Sequence, residues 1–234
     1  MKKGLLFLVS LWIISCNNYS SKKNNNKFTS TTNYTLNGTI DFNAKTAYLN
    51  KIRNDSLFKI DSSSVVNNVF IFKGTIISPE RFALTFKNYS AVVIVILEHK
   101  DFSISIKKHH LNDPVIIGSP LNSQLLNYKT SSKNIFKKVD YLYPQFQKAR
   151  LENDVQKLQE IKQKMDSIEA EFSKYSFNFI KENRNSYIAA MILSDHLKTT
   201  KINFLKIKNS FNLLSKQVQN SVDGKRIANW LQLH

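Results

Sequence analysis

The sequence predicts an α+β protein in which an N-terminal antiparallel β sandwich or barrel is followed by a C-terminal helical hairpin or bundle. Apolar residues recur at every second position between Tyr34 and Ile117, which is the spacing of half-buried strands. After Pro120 the spacing changes to that of an α-helix, about 3.6 residues. With 234 residues, of which 42% are hydrophobic and 12% aromatic, the chain can bury an apolar core in both parts.

Two kinds of strand are predicted in the first part. Phe82, Leu84 and Phe86 alternate with Ala83 and Thr85, as expected of a strand with one covered face. Segments 69–72 and 91–97 are continuous apolar runs, which predicts strands covered on both faces. Together with the recurring turn residues, the pattern gives about eight short strands, typical of a sandwich or barrel, at residues 34–40, 47–51, 57–60, 69–72, 82–86, 91–97, 102–106 and 115–117.

The second part is predicted to begin with an antiparallel pair of helices at residues 121–150 and 155–182. We expect Asn153-Asp154 to cap the second helix, and Pro144 to kink the first helix or end it early. Apolar residues recur every seven positions with a second row beside them, which indicates a packing seam: Leu151, Leu158, Met165, Phe172 and Phe179, then Ile161, Ile168 and Tyr175. Three further helices are predicted, at residues 187–197 with Ser186 as N-cap, 202–215 and 222–232.

Residues 1–15 have the features of a signal peptide. Lys2 and Lys3 precede an apolar run of about eleven residues, which is shorter than the ~20 that a membrane-spanning helix needs. Ser15-Cys16 follows and resembles a bacterial lipobox, which implies that the Cys16 thiol is acylated and that Cys16 becomes the first residue of the mature chain. Residues 16–33 are rich in Asn, Ser, Thr and Lys, and we expect them to form a flexible tether behind this lipid anchor.

The chain is basic, with 34 Lys and Arg against 17 Asp and Glu and a net charge of +17. The excess is spread over both parts, and the densest run, Lys107-Lys108-His109-His110, is short. A nucleic-acid site would need a basic stripe with interleaved aromatic residues or a recognisable module, so we predict no nucleic-acid partner. Contact with anionic lipid headgroups would assist an acyl anchor.

The sequence offers no pattern for catalysis or for a cofactor. Its glycines lie at positions 4, 38, 74, 118 and 224, too far apart for a phosphate-binding loop, and one cysteine excludes an internal disulfide and a CxxC redox pair. His109, His110 and Asp113 suggest a metal site, but adjacent residues on a strand face opposite ways. Acidic pairs such as Glu169 and Glu171 lie at predicted exposed helix positions. We therefore predict a protein that is not an enzyme and has no cofactor, metal or catalytic residue.

Several short segments follow one another in the first part: Leu36-Asn37-Gly38-Thr39-Ile40, Ala47-Tyr48-Leu49, Ile60-Asp61-Ser62, Val69-Phe70-Ile71-Phe72-Lys73-Gly74, Pro79, Ile96-Leu97-Glu98 and Gly118-Ser119-Pro120-Leu121-Asn122. In their order and spacing they resemble a β domain of unknown function that is common in Bacteroidetes lipoproteins. Asn68 stands where that domain commonly has a glycine, and we expect the hairpin turn to persist because Asn tolerates positive φ.

The second part extends this resemblance. In those lipoproteins a helical connector and then a thioredoxin-like thiol-disulfide oxidoreductase domain usually follow, and segments 179–190 and 221–225 look like the connector. Proline is usual there at the position of Arg184. The resemblance covers residues 34–232 and none of the catalytic domain, and thiol exchange requires a thiolate that this sequence lacks beyond Cys16. Redox activity is therefore not implied for this chain.

These patterns predict a lipoprotein anchored to a bacterial membrane through Cys16 and facing the periplasm, with a β domain at 34–120 and a helical domain at 121–234. We expect a binding or interaction module that uses a concave sheet face or the groove between its two parts. The alternative is an accessory or split subunit of a thioredoxin-like oxidoreductase whose catalytic domain belongs to another chain. A truncated paralogue without retained function is a third interpretation.

Overall fold

The computed structural model describes residues 33–53, 56–199 and 202–233, which form eight strands and then six helices. The strands are β1 (Tyr34–Ile40), β2 (Thr46–Arg53), β3 (Ser56–Ser64), β4 (Val69–Gly74), β5 (Glu80–Phe86), β6 (Tyr89–Leu97), β7 (Asp101–Ile106) and β8 (Val115–Ile117). The helices are α1 (Pro120–Leu151), α2 (Val155–Glu182), α3 (Tyr187–His196), α4 (Phe204–Leu213), α5 (Lys216–Gln219) and α6 (Val222–Leu233). This order confirms the α+β class.

The strands form a sandwich of two four-stranded sheets. The first sheet has the order β4-β1-β7-β8 and the second the order β3-β2-β5-β6. All neighbours are antiparallel except β1 and β7, which pair in parallel with Leu36 opposite Phe102. This pair departs from the antiparallel prediction. Between β1 and β7 the chain crosses to the second sheet and returns twice, so β7 can re-enter the first sheet in the direction of β1.

The sandwich core lies between the sheets and is rich in aromatic side chains, including Phe70, Phe72 and Phe86. The prediction that β4 is covered on both faces is wrong, because Val69 and Ile71 are 41% and 45% exposed. On β6 the prediction holds for the second half only. There Val93, Val95 and Leu97 enter the sandwich core, whereas Ile96 enters a second core formed with the helices.

The turn between β3 and β4 is built on asparagines in the left-handed region. Asn67 has a φ of 51° and Asn68 a φ of 64°. The turn expected at Asn68 is present, with Val66 paired to Val69 across it, but it does not close a hairpin within one sheet, because β3 and β4 belong to different sheets. Asparagine tolerates this conformation better than most residues with a Cβ, because its short polar side chain can bond locally to the backbone.

The predicted helical hairpin is confirmed as α1 and α2. Asp154 is the N-cap of α2, and its Oδ1 accepts a hydrogen bond from the Lys157 N–H at 2.9 Å. Pro144 lies within α1 but does not end it, since the helix continues to Leu151. The seam is centred on Ile161 and Ile168, which are buried with Leu158 and Met165 partly buried beside them, whereas Leu151 is 84% exposed and lies outside it.

The shorter helices gather around α3. Ser186 is its N-cap, as predicted, and accepts a hydrogen bond from the Ile188 N–H at 3.2 Å. Residues 188–194 are all buried, and the second core forms around them with Ile96, Ile180, Ile207 and Ile227. The predicted helix at 202–215 is shorter, at Phe204–Leu213, and the one-turn helix α5 was not predicted. Among the described residues, no helix has the length and apolarity needed to cross a membrane.

Candidate functional site

Asn122 joins the helical part to the edge of the second sheet. Its side-chain amide pairs with the backbone of Ile96 in β6: the Ile96 N–H donates to Asn122 Oδ1 at 3.0 Å, and Asn122 Nδ2 donates to the Ile96 carbonyl at 2.7 Å. Asn122 is only 6% exposed. The amide therefore replaces a residue of a neighbouring strand at this edge, and satisfies two backbone groups that would otherwise be buried without partners.

Glu98 reinforces the same junction from the end of β6. Its Oε1 accepts a hydrogen bond from the Ser119 hydroxyl and another from the Leu121 N–H at 3.1 Å. Ser119 is also the N-cap of α1, because its Oγ accepts from the Asn122 N–H at 3.2 Å. A carboxylate is favourable here, since the N-terminus of a helix carries partial positive charge and free N–H groups.

A second polar joint connects α1 to the loop between α2 and α3. Gln124 Nε2 donates to Asn183 Oδ1 at 2.7 Å, and the Ser186 hydroxyl donates to Gln124 Oε1. One side chain of α1 thus fixes both the end of α2 and the beginning of α3. These contacts hold the loop 183–186 against the start of α1.

A groove of about 450 Å³ lies beside these joints, between the end of the sandwich and the helices. Polar and apolar atoms contribute about equally to its lining, and all but two of the lining residues carry a polar side-chain group: Pro79, Glu98, His99, Leu121, Gln124, Asn185, Ser186, Tyr187 and Gln217. Six of these nine belong to the sequence segments that carry the resemblance described above, all except His99, Gln124 and Gln217. This groove is the candidate functional site.

The groove presents amide, hydroxyl, phenol, imidazole and carboxyl groups in fixed positions. Gln217 Nε2 donates to the Tyr187 hydroxyl at 2.9 Å, and His99 Nε2 lies 2.8 Å from the Ile76 carbonyl. Groups of this kind bind uncharged polar partners such as peptide backbone and amide side chains through hydrogen bonds. The groove between the two parts was predicted as a contact site, but its residues were not, because they come from segments far apart in the chain.

A separate hydrogen-bonded chain lies between α1, α2 and α3 and was not predicted. The Tyr128 hydroxyl donates to Ser176 Oγ at 2.9 Å, and Ser176 Oγ lies 2.7 Å from His196 Nε2. Burial lowers the pKa of His196, with a further decrease from Lys206 and an opposing increase from Asp195. Burial raises the pKa of Tyr128, because it disfavours the charged phenolate. Ser176 is fully buried, so this Ser–His contact holds the helices together and is closed to a substrate.

Arg81 connects the second sheet to α3. Its Nη1 lies 2.9 and 3.0 Å from the two carboxylate oxygens of Asp195, and its Nη2 donates to the Met191 carbonyl at 2.6 Å. Arginine suits this position because its planar guanidinium can bind a carboxylate and a carbonyl at once. The sandwich and the helices are therefore joined at Arg81 as well as at Asn122 and Glu98.

The other residues considered from the sequence lie apart from the groove. His109 and His110 are exposed in a turn after β7, not on a strand as expected, and the Asp113 N–H donates to the His110 carbonyl at 3.1 Å. Within the described ranges no group of three or more His, Cys, Asp or Glu residues is arranged to hold a metal ion. Glu169 and Glu171 are exposed on α2, as predicted. The signal peptide at 1–15, Cys16 and the tether up to residue 32 lie outside the described residues.

Comparison with known families supports the interpretation of the first part. Residues 34–125 match the model of a domain of unknown function (DUF4369), which confirms that this region is a β domain of unknown function. The match includes all eight strands and the first six residues of α1, so it ends just beyond the Asn122 joint. Comparisons with curated proteins and with solved structures found no match.

Proposed function

We propose that this protein is a lipoprotein, anchored through Cys16 to a bacterial membrane on its periplasmic side, that acts as a non-catalytic binding module. The groove between the sandwich and the helices is its contact site. The observation that carries the proposal is the lining of this groove, because segments from both parts of the chain meet there around fixed polar groups.

The groove residues are held by hydrogen bonds that suit a recognition surface. Ser186 is fixed by Gln124 and Tyr187 by Gln217, so these polar groups have defined positions before any partner binds. Preorganised groups lose less conformational entropy on binding, which favours affinity and specificity. The rigid joint at Asn122 keeps the two walls of the groove together.

The anchoring is supported by the sequence alone, through the basic segment, the short apolar run and Ser15-Cys16. Two or three acyl chains hold a protein on a membrane, because each buried CH₂ contributes about 0.8 kcal/mol. Radiolabelled palmitate should be incorporated into the wild-type protein and not into the Cys16→Ala variant. Incorporation that persists in Cys16→Ala would contradict the anchoring.

The contact site can be tested by photo-crosslinking in cells. A p-benzoyl-phenylalanine in place of Asn185, which is exposed and lines the groove, should give a discrete adduct, whereas the same group in place of the exposed Gln163 on α2 should not. Gln217→Arg, which introduces a long charged side chain into the groove, should reduce the adduct. Asn212→Arg, an exposed position on α4, is the control. Equal adducts at both sites, or no effect of Gln217→Arg, would contradict the proposal.

The alternative proposal is an accessory or split subunit of a thioredoxin-like thiol-disulfide oxidoreductase. Its support is the resemblance of segments 179–190 and 221–225 to the connector of such enzymes. Crosslinking followed by purification from the periplasm should then recover a thiol oxidoreductase with this chain. Recovery of other proteins only would count against this alternative, and a neighbouring reading frame encoding the missing domain would favour it.

A further inference from the structure

The described chain enters the sandwich at one end, next to the loop between β4 and β5. The Asn33 N–H donates to the Gly74 carbonyl at 2.9 Å. The Asn33 side chain then forms two hydrogen bonds with the Ile76 backbone: Nδ2 donates to the carbonyl at 2.8 Å, and Oδ1 accepts from the N–H at 3.0 Å. The loop after β4 is therefore fixed beside the point from which the N-terminal residues leave the fold.

Ile77 at this loop is 99% exposed, the highest value among the exposed large hydrophobic residues of the described chain. Its neighbour Ile76 packs against the sandwich core, so the backbone under Ile77 is anchored. His99 also contacts the Ile76 carbonyl, with its Nε2 at 2.8 Å. Ile77 is thus an apolar side chain held out from the fold on a loop secured by Asn33, Ile76 and His99.

Basic residues lie at the same end of the sandwich. Lys73 is exposed and pairs in register with Thr35, which is the second residue of β1 and therefore lies close to Asn33. Lys100 is exposed and precedes Asp101, which pairs with Thr35 on the other side of β1. An exposed apolar side chain with nearby lysines is the pattern of a surface that contacts anionic lipid, because the apolar group enters the acyl boundary and the ammonium groups approach the phosphates.

The end of the sandwich at Asn33 is the end that the chain joins to Cys16, and this connection supports a lipid contact there. Asn33 is 17 residues after Cys16, so a fully extended chain between them spans at most about 60 Å. When Cys16 is held in the membrane, the end with Asn33 and Ile77 is the end of the fold attached to it. Tethering raises the effective concentration of Ile77 at the membrane, so that a contact too weak to bind by itself can form.

We propose that the end of the sandwich carrying Ile77, Lys73 and Lys100 docks on the surface of an anionic phospholipid membrane, with the Ile77 side chain inserted at the acyl boundary. This inference rests on the proposed lipid anchor at Cys16. It adds an orientation to that proposal, because the fold would rest on the membrane by one defined end.

A thiol-specific fluorophore at position 77 tests this contact in the full-length protein. Acylation blocks Cys16, so the cysteine of Ile77→Cys is the only free thiol of the lipidated chain. In vesicles of phosphatidylethanolamine and phosphatidylglycerol, an environment-sensitive label at position 77 should shift to the blue and be quenched by lipid-attached quenchers. Val66→Cys is the matched control, because Val66 is also exposed, at 64%. It follows β3 and lies at the opposite end of β1 from Asn33, since the nearby Asn68 carbonyl accepts a hydrogen bond from the N–H of Ile40, the last residue of β1.

The outcomes separate the docking from the anchor. The blue shift should weaken in phosphatidylcholine vesicles and in a Lys73→Gln, Lys100→Gln background, while the protein stays lipidated and bound. A lipidated protein whose label at position 77 behaves like the label at position 66 would overturn the docking and leave the anchor standing. Labelling of Cys16 itself, with the protein absent from vesicles, would overturn both. A blue shift already present without vesicles would indicate a protein contact and would also overturn the docking.

Discussion

At the scale of single residues, the sequence segments that resemble the β domain have structural roles that can be read from their contacts. Asn122 and Glu98 hold α1 against β6, and Gly38 makes room for an aromatic ring of the core. A Cβ added at Gly38 would lie 1.9 Å from Phe70 Cζ. These residues build the fold that carries the groove, and only some of them also line it.

Gly38→Ala should destabilise the protein strongly. Phe70 is 1% exposed and packs against Phe72 and Phe86, so its ring cannot move away without disturbing the core. We expect a loss of about 1–3 kcal/mol or more in the free energy of unfolding, measured by urea denaturation. The double variant Gly38→Ala, Phe70→Leu should lose less than the two single variants added together. Strict additivity would show that the steric contact is not the cause.

His196 should make stability depend on pH. Its folded-state pKa lies below the ordinary value of 6.5, so below about pH 6.5 the unfolded state binds more protons than the folded state. The stabilisation linked to His196 is therefore fully present above pH 6.5. It decreases as the pH falls through the pKa of His196 in the unfolded state and then through its lower pKa in the folded state. The slope of unfolding free energy against pH between 6.5 and 5 should be smaller in His196→Gln than in the wild type. Equal slopes in His196→Gln and in the wild type would contradict this role of His196.

At the scale of elements, α1 and α2 are 32 and 28 residues long, which corresponds to about 48 and 42 Å. The outer half of this pair is held by a small core of its own, formed by Leu142, Ala149, Ile161 and Ile168. Local features at the connection between the helices therefore contribute a larger share of its stability than they would in a larger core.

The N-cap of α2 is such a feature. Asp154→Ala removes the acceptor of the Lys157 N–H and should cost about 1 kcal/mol, seen as a lower urea midpoint. Asp154→Ser retains an N-cap acceptor and should recover most of the loss. A midpoint in Asp154→Ala equal to that of the wild type would show that the connection frays already in the native protein.

At the scale of the whole molecule, a few polar contacts hold the sandwich and the helices together. Three side chains connect the second sheet with the helical part: the Asn122 amide reaches from α1 to β6, and the Glu98 carboxylate and the Arg81 guanidinium reach from the sheet to the helices. Ile96 adds an apolar contact by entering the helical core. Because the groove lies along this boundary, its shape depends on these few contacts.

Asn122→Leu should uncouple the two parts. It leaves the N–H and carbonyl of Ile96 without their partners, and each buried unsatisfied group costs about 1–3 kcal/mol. We expect a lower unfolding midpoint and a broader or two-step transition when fluorescence and circular dichroism are compared. Asn127→Leu, an exposed position on the same helix, should leave a single transition. One sharp transition in Asn122→Leu at the wild-type midpoint would contradict this role.

Apolar periodicity and helix capping are local, so the class of the fold and most of its elements could be predicted from the sequence. The alternation that directs Phe82, Leu84 and Phe86 into the sandwich core and the cap at Asp154 needed no knowledge of distant residues. The expectation that β5 has one covered face is wrong at Ala83, which is also buried. The same local logic failed at β4, since an apolar run does not reveal whether a second layer covers Val69 and Ile71.

The way in which the two parts pack together could not be predicted from the sequence and is seen in the folded chain. The parallel pairing of β1 with β7, the contact of Asn122 with Ile96 and the lining of the groove join residues far apart in the chain, and no local period encodes such pairs. The exposure of Ile77 beside Asn33 is of the same kind. The proposed lipid anchor at Cys16 rests on local sequence, whereas the proposed orientation on the membrane rests on hydrogen bonds between Asn33 and a loop more than forty residues away.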